Sequence, residues 1–450
     1  MINQRSSMKN RLKIICLCAL VCIIAGGACG FSLLGPFDEW QTAGLNYNPG
    51  VVTVDIGGPM NLGDEYRWNI KTIYVGIHPS FAAYFGAKGT QAVVEAMAML
   101  NAIPPVSKMS ADLSEFPTYT RHVNYRAQAL GLLDLKSYAL GGLVEAFGLA
   151  CPERYVWTPR LREAFPAFTN YWVIMRNFDP VTWAPSKYVN GVLYTYVVRE
   201  LPWNAFDAIE IRVDPVNPMY TTVASIVGAF WGASLDVGEF VTGLTRDDVG
   251  AIRYLLSPSN YNIESLPTNL TAAFGPWSPY VGTNVMTNVY VNVALRPGVD
   301  KIEFKLAQYD ARFGYFIPIT NVYEDKYVTN WTLRSQNVGR VLLEPDIIFT
   351  VDDLGPGVVG ARGVTFQNNS ALYPTVGTGA GPGQIVPSVI ITFNNLGPYY
   401  LNQFPGYMDE ANPAGISWVW GYFDGSTNPP VVFPSGLTIQ ELEQRALSRP

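Results

Sequence analysis

Apolar and polar residues alternate along Ile70–Ile77, the first strong element of the chain and a strand by its period of two. His78-Pro79 follows, and then Val93, Met97 and Leu100 recur at helical spacing, which predicts a helix over about 90–102 that Pro104-Pro105 ends. Leu133, Leu140, Val144 and Phe147 form one apolar stripe and predict a longer helix over about 124–149, with Gly141-Gly142 as a point of kinking or division. Short strand-like runs stand at Val51–Ile56, Val192–Val198 and Ala208–Val213. A third helix is expected over 245–256: Thr245 caps it, Asp247 and Asp248 sit in its first turn, and Ile252, Leu255 and Leu256 supply its buried face.

Beyond Pro258 the pattern changes. Turn residues separate strand candidates at Val285–Leu295, Lys301–Leu306, Arg340–Leu343, Ile347–Val351, Ile385–Phe393 and Ile416–Tyr422, and helical spacing returns only at Leu437–Leu447. The expectation is an α+β protein with a mixed domain over 36–258 and a β-rich, sandwich-like domain over 268–450. Gly355–Gly363 and Gly377–Gly383 are glycine-rich, but they have neither the lysine and hydroxyl of a phosphate loop nor the strand-to-helix setting of a dinucleotide fingerprint. No repeat at solenoid or propeller periods is visible.

Residues 1–29 have the plan of an export leader. Arg5, Lys9, Arg11 and Lys13 stand without an acid, Ile14–Ile24 is uninterrupted and apolar, and Ala25-Gly26-Gly27-Ala28-Cys29 supplies small residues for cleavage. Cleavage after Ala28 puts Cys29 first, where bacterial lipoproteins carry their acyl chains. The resemblance to a lipobox is partial, because Gly26 stands where an aliphatic residue is usual. Loss of the leader removes four cations and no acid, so the formal charge moves from −6 to −10. That balance argues against a nucleic-acid partner, which needs a basic face. Three of the five cysteines fall in the leader, which leaves Cys29 and Cys151 and no disulfide scheme.

Histidine is a quick test of hydrolytic chemistry. The chain has two, His78 and His122, so a His-Glu-x-x-His zinc helix is excluded, and so is a triad using a histidine from the second half. Asp236 with Glu239, Asp247 with Asp248, and Asp352 with Asp353 are the closest carboxylate pairs, and helix capping or a turn explains the last two. No catalytic, metal or cofactor residue is assigned. Charged residues are only 15% of the chain and aromatics 13%. Tyr399, Tyr400, Phe404, Tyr407, Trp418, Trp420, Tyr422 and Phe423 crowd together near the C-terminus. Alternation puts Trp418, Trp420 and Tyr422 on one strand face: a core if buried, a platform for a glycan or protein partner if exposed.

Three features over residues 68–257 resemble a matrixin-type (zincin) metalloprotease domain. Trp68 leads into Thr72-Ile73-Tyr74-Val75 and the helix Gln91–Asn101; Pro218-Met219-Tyr220 is similar to a methionine turn; and Leu244-Thr245-Arg246-Asp247-Asp248-Val249-Gly250-Ala251-Ile252 resembles the closing-helix signature Leu-Thr-x-Asp-Asp-x-x-x-Ile. The resemblance implies a zincin-like frame without its zinc ligands. The runs Ser114–Pro117, Val123–Ala127, Pro152–Trp157 and Gly298–Ile302 also resemble large, uncharacterised, secreted bacterial proteins. Together these lead to the expectation of an exported, non-catalytic binding or structural protein of the envelope or extracellular space, in contact with a membrane only through its leader or a lipid on Cys29. The alternatives are a carboxylate-dependent hydrolase of an extracellular polymer, such as a glycan, and a subunit of a surface assembly or filament.

Overall fold

The computed structural model describes residues 29–35, 62–201, 205–228, 235–267, 270–272, 290–354, 360–368, 383–395 and 419–447. Residues 1–28, where an export leader is expected, the strand expected at Val51–Ile56, the start of Val285–Leu295, and Tyr399, Tyr400, Phe404, Tyr407 and Trp418 lie outside them. The protein is α+β with a β-rich part, as its alternating runs and capped helices indicate.

Its principal sheet has six strands. Along the sheet, Glu303–Leu306, Thr72–Ile77, Ile347–Asp352, Gly383–Asn394 and Tyr66–Arg67 are neighbours and all pair in parallel, while Gly360–Asn368 adds to Gly383–Asn394 antiparallel. Parallel neighbours need long crossovers. Here those crossovers carry chain from one side of the expected boundary near 258–268 to the other. The boundary therefore does not separate two cores: Thr72–Ile77 is flanked on both sides by strands from the second half, and one cluster of buried side chains runs from Phe31 to Phe433. Alternation at local range says nothing about which distant strand becomes the neighbour.

A second, five-stranded antiparallel sheet is built on the long hairpin Ile319–Thr329 with Thr332–Leu342. Its tip, Asn330-Trp331, has φ of 49° and 58°, the two left-handed residues of a type I′ turn. Tryptophan in place of glycine hid that turn from sequence reading. A buried ion pair joins the sheets, Arg67 at the edge of the first reaching Glu264 in the second at 2.5 Å; within the second sheet, Arg296 holds Asp325 at 2.8 Å.

The helices differ instructively from expectation. The first runs over Pro79–Asn101, because the His78 side chain accepts from Ser80 N and Pro79 needs no N–H there; Gly86, at φ 60°, breaks it into two segments. Its rings fasten it to the sheet, with Phe81 edge-on to Phe349 and Phe393 at 5.9 Å each. Such pairs contribute about 0.5–1.5 kcal/mol beyond burial. The single helix expected over 124–149 is instead a short helix Tyr125–Ala129, a strand Leu132–Asp134 and a helix Leu135–Ala146. Gly131 turns the chain at φ 69°, and Leu132–Asp134 is drawn into parallel pairing with Val419–Gly421. Gly141-Gly142 do not kink the helix. No helix among the described residues is long and apolar enough to cross a membrane.

Candidate functional site: the central helix and the network at the closing helix

The helix Leu135–Ala146 lies at the centre of the molecule, and all twelve of its residues are buried. Asp134 caps it, accepting from Ser137 N at 3.0 Å and from Ser137 Oγ at 2.5 Å, and burial pushes its carboxyl up to about 6 against the opposing pull of Lys136 and the Ser137 hydrogen bonds. The two glycines serve contact rather than bending. A Cβ on Gly141 would stand 2.7 Å from Val227 Cγ2, and one on Gly142 would stand 3.2 Å from Ile391 Cγ2. Trp68 Nε1 donates to Ala146 O at 2.9 Å, and Gly148, at φ 114°, then turns the chain beneath Tyr66.

The closing helix, Arg246–Leu256, begins where its sequence places it. Thr245 and Asp248 form a reciprocal capping box. Both aspartates nevertheless do more than complement the helix dipole, since each is almost wholly enclosed. Asp248 accepts from Val223 N and Ala224 N at 3.0 Å each, from Thr245 N at 2.9 Å and from Thr245 Oγ1 at 2.6 Å. Asp247 Oδ2 accepts from Gly30 N at 2.8 Å and from Asn190 N at 2.6 Å. Asn190 Nδ2 in turn donates to Thr221 Oγ1 and Thr245 Oγ1. In the same Thr221–Ala224 loop, Glu153 accepts from Thr222 N at 3.1 Å and Thr222 Oγ1 at 2.9 Å. Burial raises all three carboxyls, Asp247 most, and their hydrogen-bond donors pull them back down.

Two of the three segments that resemble a zincin domain meet. Trp68 is bonded to the end of the central helix, and the loop after Met219 is clamped to the Leu244–Ile252 segment through Asp248. Glu153 and Asn190 were not legible as members. For Asn190 a signal existed in the Asn190-Gly191 pair, whose φ values of 45° and 86° mark a tight turn between strands.

Elsewhere the candidate residues are occupied structurally. His78 caps a helix, and His122 is exposed with its ring 5.7 Å from that of Phe240. Glu239 Oε2 accepts from Asp236 N, and Asp352 Oδ1 accepts from Asp353 N. Cys151 is buried and points its Sγ at Glu153 Oε2 across 3.6 Å. Among the described residues no group of three or more His, Cys, Asp or Glu side chains is placed to hold a metal ion.

The aromatic row does not present Trp420 to solvent. Trp420 is 0% exposed, donates from Nε1 to Asn394 O at 2.7 Å, and packs edge-on to Tyr138 and Phe393 at 5.2 Å each. Tyr422 is half-buried and its hydroxyl donates to Glu95 Oε1 at 2.5 Å. A platform on that face would need Trp420 outward, whereas it is the ring that seats the strand Val419–Tyr422 on the core. A groove of 350 Å³ runs between Phe85–Lys88 and Pro430–Ile439, and a pocket of 180 Å³ lies between Trp68–Ile70, Ser265–Pro267, Arg340 and Gln384–Pro387. Neither is lined by a carboxylate.

No protein-family model matches this chain, and no curated protein or solved structure is significantly similar to it. The class rests on the architecture alone: an α+β protein with a mostly parallel central sheet and an antiparallel, β-rich part.

Proposed function

We propose that this is an exported, non-catalytic binding or structural protein built on a zincin-like frame that carries no metal centre. The observation that carries the reading is the closed packing of the central helix. In metzincins the zinc helix reads His-Glu-x-x-His-x-x-Gly-x-x-His. With its glycine set on Gly148, that spacing puts Gly141, Glu145 and Cys151 at the three ligand positions and Gly142 at that of the general base. The first ligand position has no room for a side chain, with Val227 Cγ2 2.7 Å from where a Cβ would be, and the base position rests against Ile391. A catalytic helix must open onto a cleft, and this one is enclosed along its whole length.

The carboxylates of the closing-helix network do not favour the hydrolase reading. Each is enclosed and engaged by backbone N–H groups, and general acid–base work needs a carboxyl within reach of substrate. The role is then recognition or assembly outside the cytoplasm, with a glycan or protein partner. Purified protein tested against casein, peptidoglycan and soluble polysaccharides is expected to release no product. Turnover that Asp134→Asn or Glu153→Gln abolishes without loss of fold would replace this reading with the hydrolase one.

A further inference from the structure

The segment just after the leader is threaded into the core. Cys29 is 6% exposed, and its carbonyl accepts from Ser186 Oγ at 2.7 Å. Gly30 donates its N–H to Asp247 Oδ2, and its Cα faces Asn177 and Tyr188 so closely that a Cβ would stand 2.4 Å from Tyr188 O. Phe31 exchanges both backbone hydrogen bonds with Phe178, Ser32–Leu33 pair antiparallel with Leu149–Ala150, and Leu34 N donates to Gly148 O. Every residue from 29 to 34 is buried, so the segment closes the turn at the end of the central helix and the start of the closing helix together.

We infer that residues 29–34 are an untethered N-terminal clasp, in which Cys29 enters the fold with a free thiol and carries no lipid. A lipoprotein cysteine must stand at the bilayer surface, with its sulfur bonded to a diacylglyceryl group whose chains lie among the lipid tails. The Cys29 sulfur instead lies beside the enclosed Asp247 carboxyl, within a shell that leaves the residue almost no solvent contact. Attachment of the lipid would withdraw Cys29 and Gly30, break the bonds to Ser186 and Asp247, and leave the buried Asp247 without one of its two backbone donors. The burial that excludes the lipid also holds the thiol protonated, with Asp247 adding to the effect, and pushes it up to about 12.

The inference rests on the export reading only for the removal of the leader, and one experiment separates the two. The full chain is expressed in a bacterium with intact lipoprotein processing, and the purified protein is analysed by intact mass and N-terminal peptide mass. A protein without its leader and without an acyl mass is expected, partitioning to the aqueous phase of a Triton X-114 separation as the Cys29→Ala variant does. A thiol at position 29 that alkylates more than 100-fold faster after unfolding in urea than before is the second expected result. A diacylglyceryl mass on the peptide beginning at Cys29, or a wild-type protein in the detergent phase with Cys29→Ala in the aqueous phase, would overturn the inference. A retained leader with an unmodified Cys29 would overturn export and uphold the free thiol.

Discussion

Asp248→Ala tests the network at the closing helix most sharply. The substitution removes the acceptor for three backbone N–H groups, of Val223, Ala224 and Thr245, and for the Thr245 hydroxyl, at a side chain only 2% exposed. Each buried donor left without a partner costs about 1–3 kcal/mol, and some regain water or a neighbour as the loop relaxes. Loss of the reciprocal cap adds about 1 kcal/mol. Burial raises the Asp248 carboxyl, so part of its interaction is spent on holding charge in the interior, and the net loss is expected at about 3–5 kcal/mol. Urea denaturation followed by tryptophan fluorescence reads it as a lower midpoint with an unchanged slope. Glu303→Ala, which deletes an exposed pair with Lys305, serves as the reference and is expected to cost less than about 1 kcal/mol. Hydrogen exchange should speed up first at Val223 and Ala224, whose N–H groups Asp248 holds. A loss for Asp248→Ala no larger than the reference would refute the claim that this carboxylate clamps the Thr221–Ala224 loop to the closing helix.

Gly141→Val is expected to destabilise by about 1–3 kcal/mol in the same assay, because its Cβ meets Val227 and the packed core must shift; an unchanged midpoint would show that the space beside the helix is open. Trp420→Ala, which empties a fully buried site bonded to Asn394, is expected to cost about 3–5 kcal/mol, whereas an exposed platform residue would cost almost nothing. The Asp134 carboxyl sits at about 6 in the fold, above its value of about 3.9 in an unfolded chain, so the native state binds that proton more tightly. Its contribution is complete below about pH 4 and is lost as pH rises through 6, with Asp247, Asp248 and Glu153 shifted in the same direction. Denaturation midpoints should therefore fall between pH 4 and 6, and Asp134→Asn should flatten part of that fall; a midpoint that rises across the window would contradict the assignment.

Local chemistry in the sequence was largely readable. The cap at Thr245 and the alternation of Thr72–Ile77 both follow from residues within a few positions of one another. What stayed hidden depended on distance along the chain. Leu132–Asp134 is a strand because Val419–Gly421 comes to lie beside it, and nothing near residue 132 announces that partner. The expected boundary near 258–268 failed for the same reason: Thr72–Ile77 has its neighbours at 303–306 and 347–349. Gly141-Gly142 looked like a hinge because a glycine pair permits bending as readily as close contact, and only the side chains of Ile226, Val227 and Ile391 decide between the two. The aromatic row had two readings in the sequence, and burial of Trp420 places that residue in the core.

Zinc binding by the purified protein tests the central claim most directly. Dialysis against micromolar zinc followed by elemental analysis, with Cys151→Ala and Glu145→Gln alongside, compares the metal content of all three proteins at the positions where the zincin spacing falls. The account predicts no stoichiometric zinc in any of them and no zinc-dependent rise in the denaturation midpoint. One tightly held zinc per chain, lost in either variant while the fold persists, would contradict it.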